Sequence, residues 1–114
     1  MNEIEKILEE RGKTHGDFEK NAMCSQRLKE VFRAPEFTFR ELPREHQEAL
    51  DMIAHKIARI LNGNPSEVDH WQDIAGYALL VARIIKKAKE EWQKVMKEEM
   101  EYEIQKMERG INGI

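Results

Sequence analysis

Two stretches of this 114-residue chain carry carboxylates at helical spacing. Glu48 and Asp51 stand three residues apart within residues 47–61, and Asp69 and Asp73 stand four apart within residues 69–80. On an α-helix each pair projects from one face. Two such helices packed side by side would bring four carboxylates into one small volume. A hard cation such as Mg²⁺ takes oxygen ligands in octahedral geometry and shares them with substrate phosphates. The chemistry these residues could do is therefore metal-assisted work on a phosphorylated molecule.

The elements that must position them read as helices throughout. Asn2, with Glu5 three residues on, caps a short first helix that Gly12 is expected to end. Residues 13–16 form a tight loop. Asp17 caps a second helix running to about Phe32, with Phe18, Ala22, Leu28, Val31 and Phe32 as its apolar side. Residues 34–42, with Pro35, Phe37, Phe39 and Leu42, read as a loop pinned by aromatics or an interrupted helix. Pro43 suits the start of a third helix. There Leu50, Ile53, Ile57, Ile60 and Leu61 form an apolar face, with Glu48, Asp51, His55 and Arg59 opposite.

Asn62-Gly63-Asn64-Pro65 turns the chain, and Ser66 is expected to cap a fourth helix. Its core stripe is Trp71, Ile74, Ala75, Ala78, Val81, Ala82 and Ile85; Asp69, Asp73, Gly76, Tyr77 and Leu80 make a second stripe. The short connection predicts that helices three and four are antiparallel neighbours. Gly76, costly inside a helix, predicts close approach of another helix or a ligand. From Lys86 to Arg109 the composition shifts to seven basic and seven acidic residues, with a thin stripe of Trp92, Val95, Met96, Met100 and Met107. The expected organisation is a helical core over 1–85 and a long amphipathic C-terminal helix over 86–114.

The whole chain sets further bounds. Charged residues are 36% and aromatics 7%, which suits a helical protein with solvated faces. The net charge of -3 disfavours duplex nucleic acid as the main partner. The single Cys24 excludes an intramolecular disulfide and fits a reducing cytoplasm. No apolar run reaches the length of a membrane span. The apolar surface of the fourth helix and the tail exceeds what one small body covers, so a homo-oligomer, first of all a dimer, is expected.

Residues 11–83 resemble the all-alpha nucleoside triphosphate pyrophosphatases, the MazG-like superfamily. The carrying phrases are His46-Gln47-Glu48-Ala49-Leu50-Asp51-Met52-Ile53, Asp73-Ile74-Ala75-Gly76-Tyr77 and the early Arg11-Gly12-Lys13-Thr14-His15-Gly16-Asp17-Phe18. They look most like a small phage-encoded MazG-like group. The family's Glu-x-x-Glu helix is matched by Glu48 and Asp51, and the final Asp of its Glu-x-x-Asp helix by Asp73. His70 stands where that second motif has Glu, and Gln47 where a further Glu often stands.

The resemblance implies an all-α fold with a four-helix-type bundle core, usually dimeric. It implies hydrolysis of a nucleoside triphosphate to the monophosphate and pyrophosphate. The catalytic set would be Glu48, Asp51 and Asp73, and the metal set Glu48, Asp51, Asp69 and Asp73 holding Mg²⁺ or Mn²⁺. Lys56 and Arg59 would hold the phosphates. His15, Asp17 and Asn21 would read base or sugar, and Tyr77 joins the substrate-binding set. Two other classes stand beside this reading. One is a non-catalytic relative that binds a nucleotide or a protein, as a phage accessory protein would. The other is a helical oligomerisation module built on the tail.

Overall fold

A computed structural model describes residues 1–112 as four α-helices: α1 Glu3–His15, α2 Phe18–Phe32, α3 Arg44–Asn62 and α4 Val68–Asn112. A 3-10 turn, Phe39–Glu41, lies between α2 and α3. Residues 113 and 114, the end of the expected segment 86–114, lie outside the described residues. No strand occurs among the described residues, and the fold is all-α with a long C-terminal helix. The chain divides into one compact unit, Met1–Val81, and a second that begins at Ala82.

The helix starts follow from local chemistry. Asn2 Oδ1 accepts from the Glu5 amide at 2.8 Å while Glu5 reaches back to the Asn2 amide, so two orphan donors of α1 are satisfied at once. Asp17 caps α2 by accepting from the Lys20 amide at 3.2 Å. Gly12, expected to end α1, lies inside it, and the helix continues to His15. Gly16 is the true stop: its φ of 82° is open to glycine and strained for other residues. Ser66 does not cap α4. Its amide donates to Asn64 Oδ1 in the turn before the helix, which begins at Val68.

The packing centre of the first unit is α2 against α3. Lys29 meets His55 and Arg33 meets Asp51, so rising numbers on one helix meet falling numbers on the other and the pair is antiparallel. Small residues make the close approach possible: Ser25, Ala54 and Ala58 are buried at this contact. Phe39 is also buried, stacked on Phe32 at 5.7 Å, and it pins the loop between the helices.

Here the structure corrects the amphipathic reading of α3. The face bearing Asp51 and His55, opposite the aliphatic stripe, meets α2, because both side chains find partners there. The aliphatic face is only half-buried at Leu50, Ile53, Ile57 and Ile60, and Leu61 is 69% exposed.

Between α3 and α4 the ion pair of Lys56 with Asp73 makes a direct contact. The first turns of α4 hold on through polar contacts: buried His70 donates from Nε2 to the Thr14 carbonyl at 3.0 Å, and Asp73 pairs with Lys56. Trp71, expected in the core, is 54% exposed and donates to the Pro65 carbonyl at 2.8 Å. Gly76 has no neighbour within 4 Å of a would-be Cβ.

Two loops cross at Gly16 and Gly63. A Cβ on Gly16 would stand 2.3 Å from the Asn62 carbonyl oxygen, and one on Gly63 would stand 2.2 Å from the Thr14 carbonyl oxygen. Replacing Gly16 with Ala therefore adds backbone strain to a steric clash, and should destabilise the protein by about 2–4 kcal/mol. Gly12→Ala, in an exposed helix interior with open space around it, should instead stabilise by about 0.5–1 kcal/mol. Urea unfolding followed by circular dichroism checks both; Gly16→Ala unfolding at the wild-type midpoint would contradict the crossing.

Candidate functional site

The end of α1, the start of α2 and the C-terminal half of α3 enclose a cleft of about 600 Å³. α1 supplies Arg11 and His15, α2 supplies Asp17, Asn21, Ser25 and Gln26, and α3 supplies His55 and Arg59. Leu8, Phe18, Ala22 and Ala58 add apolar wall, and Phe18 is 81% exposed. Two guanidiniums and two imidazoles thus line the same space as one carboxylate, and that carboxylate caps α2. The cleft is a place for an anion with an apolar portion.

The imidazoles show this field. Burial first, then Arg59, His70, Lys56 and Arg11, pushes the His15 imidazole below its ordinary value. Burial, then Lys29 and Arg59, does the same to His55, against a smaller opposing pull from Asp51. Lys29 Nζ lies 3.0 Å from His55 Nε2. An ammonium only donates, so Nε2 accepts, and the ring proton sits on Nδ1. Both rings are therefore neutral at neutral pH and present to a ligand without adding charge of their own.

The carboxylates predicted from spacing are placed elsewhere. Asp51 accepts two bonds from Arg33, at 2.9 and 2.7 Å, in a fork that uses both of its oxygens. Arg33 also lies over the Phe39 ring at 4.3 Å, so one side chain ties α2, the loop and α3 together. This pairing holds the Asp51 carboxyl below its ordinary value. Asp73 sits 2.9 Å from the ammonium of buried Lys56 and is likewise pulled down by it. Glu48 and Asp69 are exposed. Among the described residues no group of three or more His, Cys, Asp or Glu side chains is arranged to hold a metal ion. As arranged in this chain, Asp51 and Asp73 each face a cation of the protein itself.

Of the predicted substrate-binding residues, His15, Asp17, Asn21 and Arg59 come together in the cleft. Lys56 is spent on Asp73, and Tyr77 is half-buried on α4 and does not line it. Asn21 has a structural task there: its Nδ2 donates to the His15 carbonyl at 2.6 Å and closes the end of α1. Arg11 and His55 join the site without having been expected in it. The signal for Arg11 was present, since it opens the phrase that continues through His15 and Asp17. The roles of Arg33 and Lys29 depend on the α2–α3 register and have no local signal.

A small all-helical protein with a cation-rich cleft between its first three helices is the class these features define. The chain belongs to the family described as domain of unknown function (DUF6378), whose model matches residues 1–85. No curated protein and no solved structure matches it.

The Arg33–Asp51 pair makes a pH prediction. A carboxyl whose folded pKa is depressed stabilises above its unfolded pKa and loses that contribution as pH falls through the folded value. Asp51→Asn should cost about 1–2 kcal/mol at neutral pH, discounted because water reaches part of Arg33. The gap between variant and wild type should close in acid, below the ordinary carboxylate range. A gap that is unchanged on acidification would show that the charge of Asp51 is not what stabilises.

Proposed function

We propose that this protein is a MazG-like nucleotide-binding protein that takes a nucleoside triphosphate, more readily a deoxynucleotide, in the α1–α2–α3 cleft. The observation that carries the reading is the convergence of Arg11, Arg59, His15 and His55 on one space of about 600 Å³. Guanidiniums form bidentate, charge-assisted bonds with phosphate oxygens, while neutral imidazole N–H groups add uncharged donors. Exposed Phe18 at the same cleft offers a ring face to a base. The resemblance of residues 11–18, six of which line the cleft, points to the same place.

A second reading adds turnover: Mg²⁺-dependent hydrolysis between the α and β phosphates, to a monophosphate and pyrophosphate. It is favoured by Glu48 and Asp69, exposed carboxylates beside Asp51 and Asp73 at the spacing that resembles the family's motif. The half-exposed aliphatic side of α3, with Ile4, Ile7 and Leu8 exposed on α1, supports a homodimer. No helix of the described residues is long and apolar enough to cross a membrane.

Calorimetry and pyrophosphate release with a full panel of NTPs and dNTPs plus Mg²⁺ test both readings. At least one nucleotide should bind, and Arg59→Ala and Arg11→Ala should each weaken it about tenfold or more. Pyrophosphate production abolished by Glu48→Gln would establish the hydrolase. Binding without turnover would leave the non-catalytic reading standing, and no binding at all would reject both.

A further inference from the structure

The unit that begins at Ala82 is helix with exposed side chains throughout residues 82–110. Five of its apolar residues nevertheless follow a pattern. Ile85, Ala88, Trp92, Val95, Glu99 and Tyr102 are spaced three, four, three, four and three apart, the seam of a left-handed coiled coil with a single polar position. Trp92 is 65% exposed, Val95 51% and Tyr102 62%, so the seam faces water along its length. A lone helix with such a seam gains little from it in solution.

The charges on the same helix are sorted by sign. Arg83, Lys86, Lys87 and Lys89 form a basic block ahead of Trp92; Glu98, Glu99, Glu101 and Glu103 form an acidic block after Val95. Between them Glu90 and Glu91 balance Lys94 and Lys97. Such a helix complements itself when reversed.

We propose that this seam binds the same seam of a second copy of the chain, antiparallel, with the centre of the pairing between Gln93 and Lys94. In that register Trp92 packs on Val95 of the second copy at the middle, and Ile85 packs on Tyr102 of the second copy at each end. Ala88 lies opposite Glu99, whose carboxylate escapes past the small methyl to the basic block. Each basic block lies along the other copy's acidic block, and Lys89 flanks Glu103 of the second copy. One flank is unfavourable, with Glu91 near Glu98 of the second copy. A parallel pairing is worse: it lays basic on basic and acidic on acidic along the whole helix, and sets Glu98 against Glu103. This inference does not depend on what the cleft binds.

Single-cysteine variants of the full chain distinguish the arrangements. Ile85→Cys and Tyr102→Cys are made separately on a Cys24→Ala background, then oxidised alone and as a mixture. The antiparallel pairing expects a disulfide-linked dimer in the mixture and little from Ile85→Cys alone. Efficient crosslinking of Ile85→Cys to itself would mean a parallel pair and overturn the proposal. Sedimentation of the otherwise wild-type chain should show a dimer at micromolar concentration. Trp92→Glu, at an exposed position that the fold of residues 1–81 does not use, should raise its dissociation constant about tenfold or more. A monomeric wild type, or a dimer indifferent to Trp92→Glu, would equally overturn it.

Discussion

The first unit depends on one backbone crossing. The loop after α1 and the loop after α3 touch at Gly16 and Gly63, with no room for a side chain on either. The Thr14 carbonyl receives two bonds there, from the Asn64 amide at 2.9 Å and from His70 Nε2 at 3.0 Å. A carbonyl left bare at a helix end is thus satisfied from the far side of the fold. Three helices take their positions from this point: α1 ends on it, α3 turns at it, and α4 starts from it through a buried imidazole. His15 stacks obliquely on His70 at 5.2 Å, which carries the constraint into the wall of the cleft.

Around that crossing the core is small. Among the described residues the buried hydrophobic ones are three alanines and one phenylalanine, Ala49, Ala54, Ala58 and Phe39. Polar tethers do much of the positioning instead: the Arg33 fork onto Asp51, Lys29 onto His55, and Lys56 onto Asp73. Such pairs hold register more than they add stability. The same tethers decide the electrostatics of the site. By occupying Asp51 and Asp73, they remove two negative charges from α3 and α4, while Arg11 and Arg59 keep no carboxylate within ion-pair distance among the described residues. The cleft is left electropositive on a chain that is acidic as a whole.

The large apolar side chains left uncovered concentrate on α1 and along α4, with Phe18, Met23 and Val31 on α2 and Leu61 at the end of α3. Apolar surface of this extent is the ground on which the proposed assembly rests. The functional reading and the assembly reading therefore rest on different parts of the molecule: the first on the cations of the cleft, the second on the aliphatic faces and the tail.

Local chemistry in the sequence was enough for the helices, the Asn2 and Asp17 caps, the turn at Asn62–Pro65 and the long C-terminal helix, because each depends on residues within one or two turns. The resemblance also named His15, Asp17, Asn21 and Arg59, and these four line one cleft. Local chemistry misplaced the end of α1, because Gly12 tolerates helix and only the crossing explains why Gly16 must be the stop. It assigned the faces of α3 by hydrophobicity, which says nothing of Arg33 and Lys29 waiting on α2 to receive the polar face. The fate of the carboxylates was likewise a tertiary matter. Spacing puts Glu48 with Asp51 and Asp69 with Asp73 on single helices, but whether the pairs meet a metal, each other or a cation depends on how those helices pack. In this chain α2 and Lys56 reach Asp51 and Asp73 first.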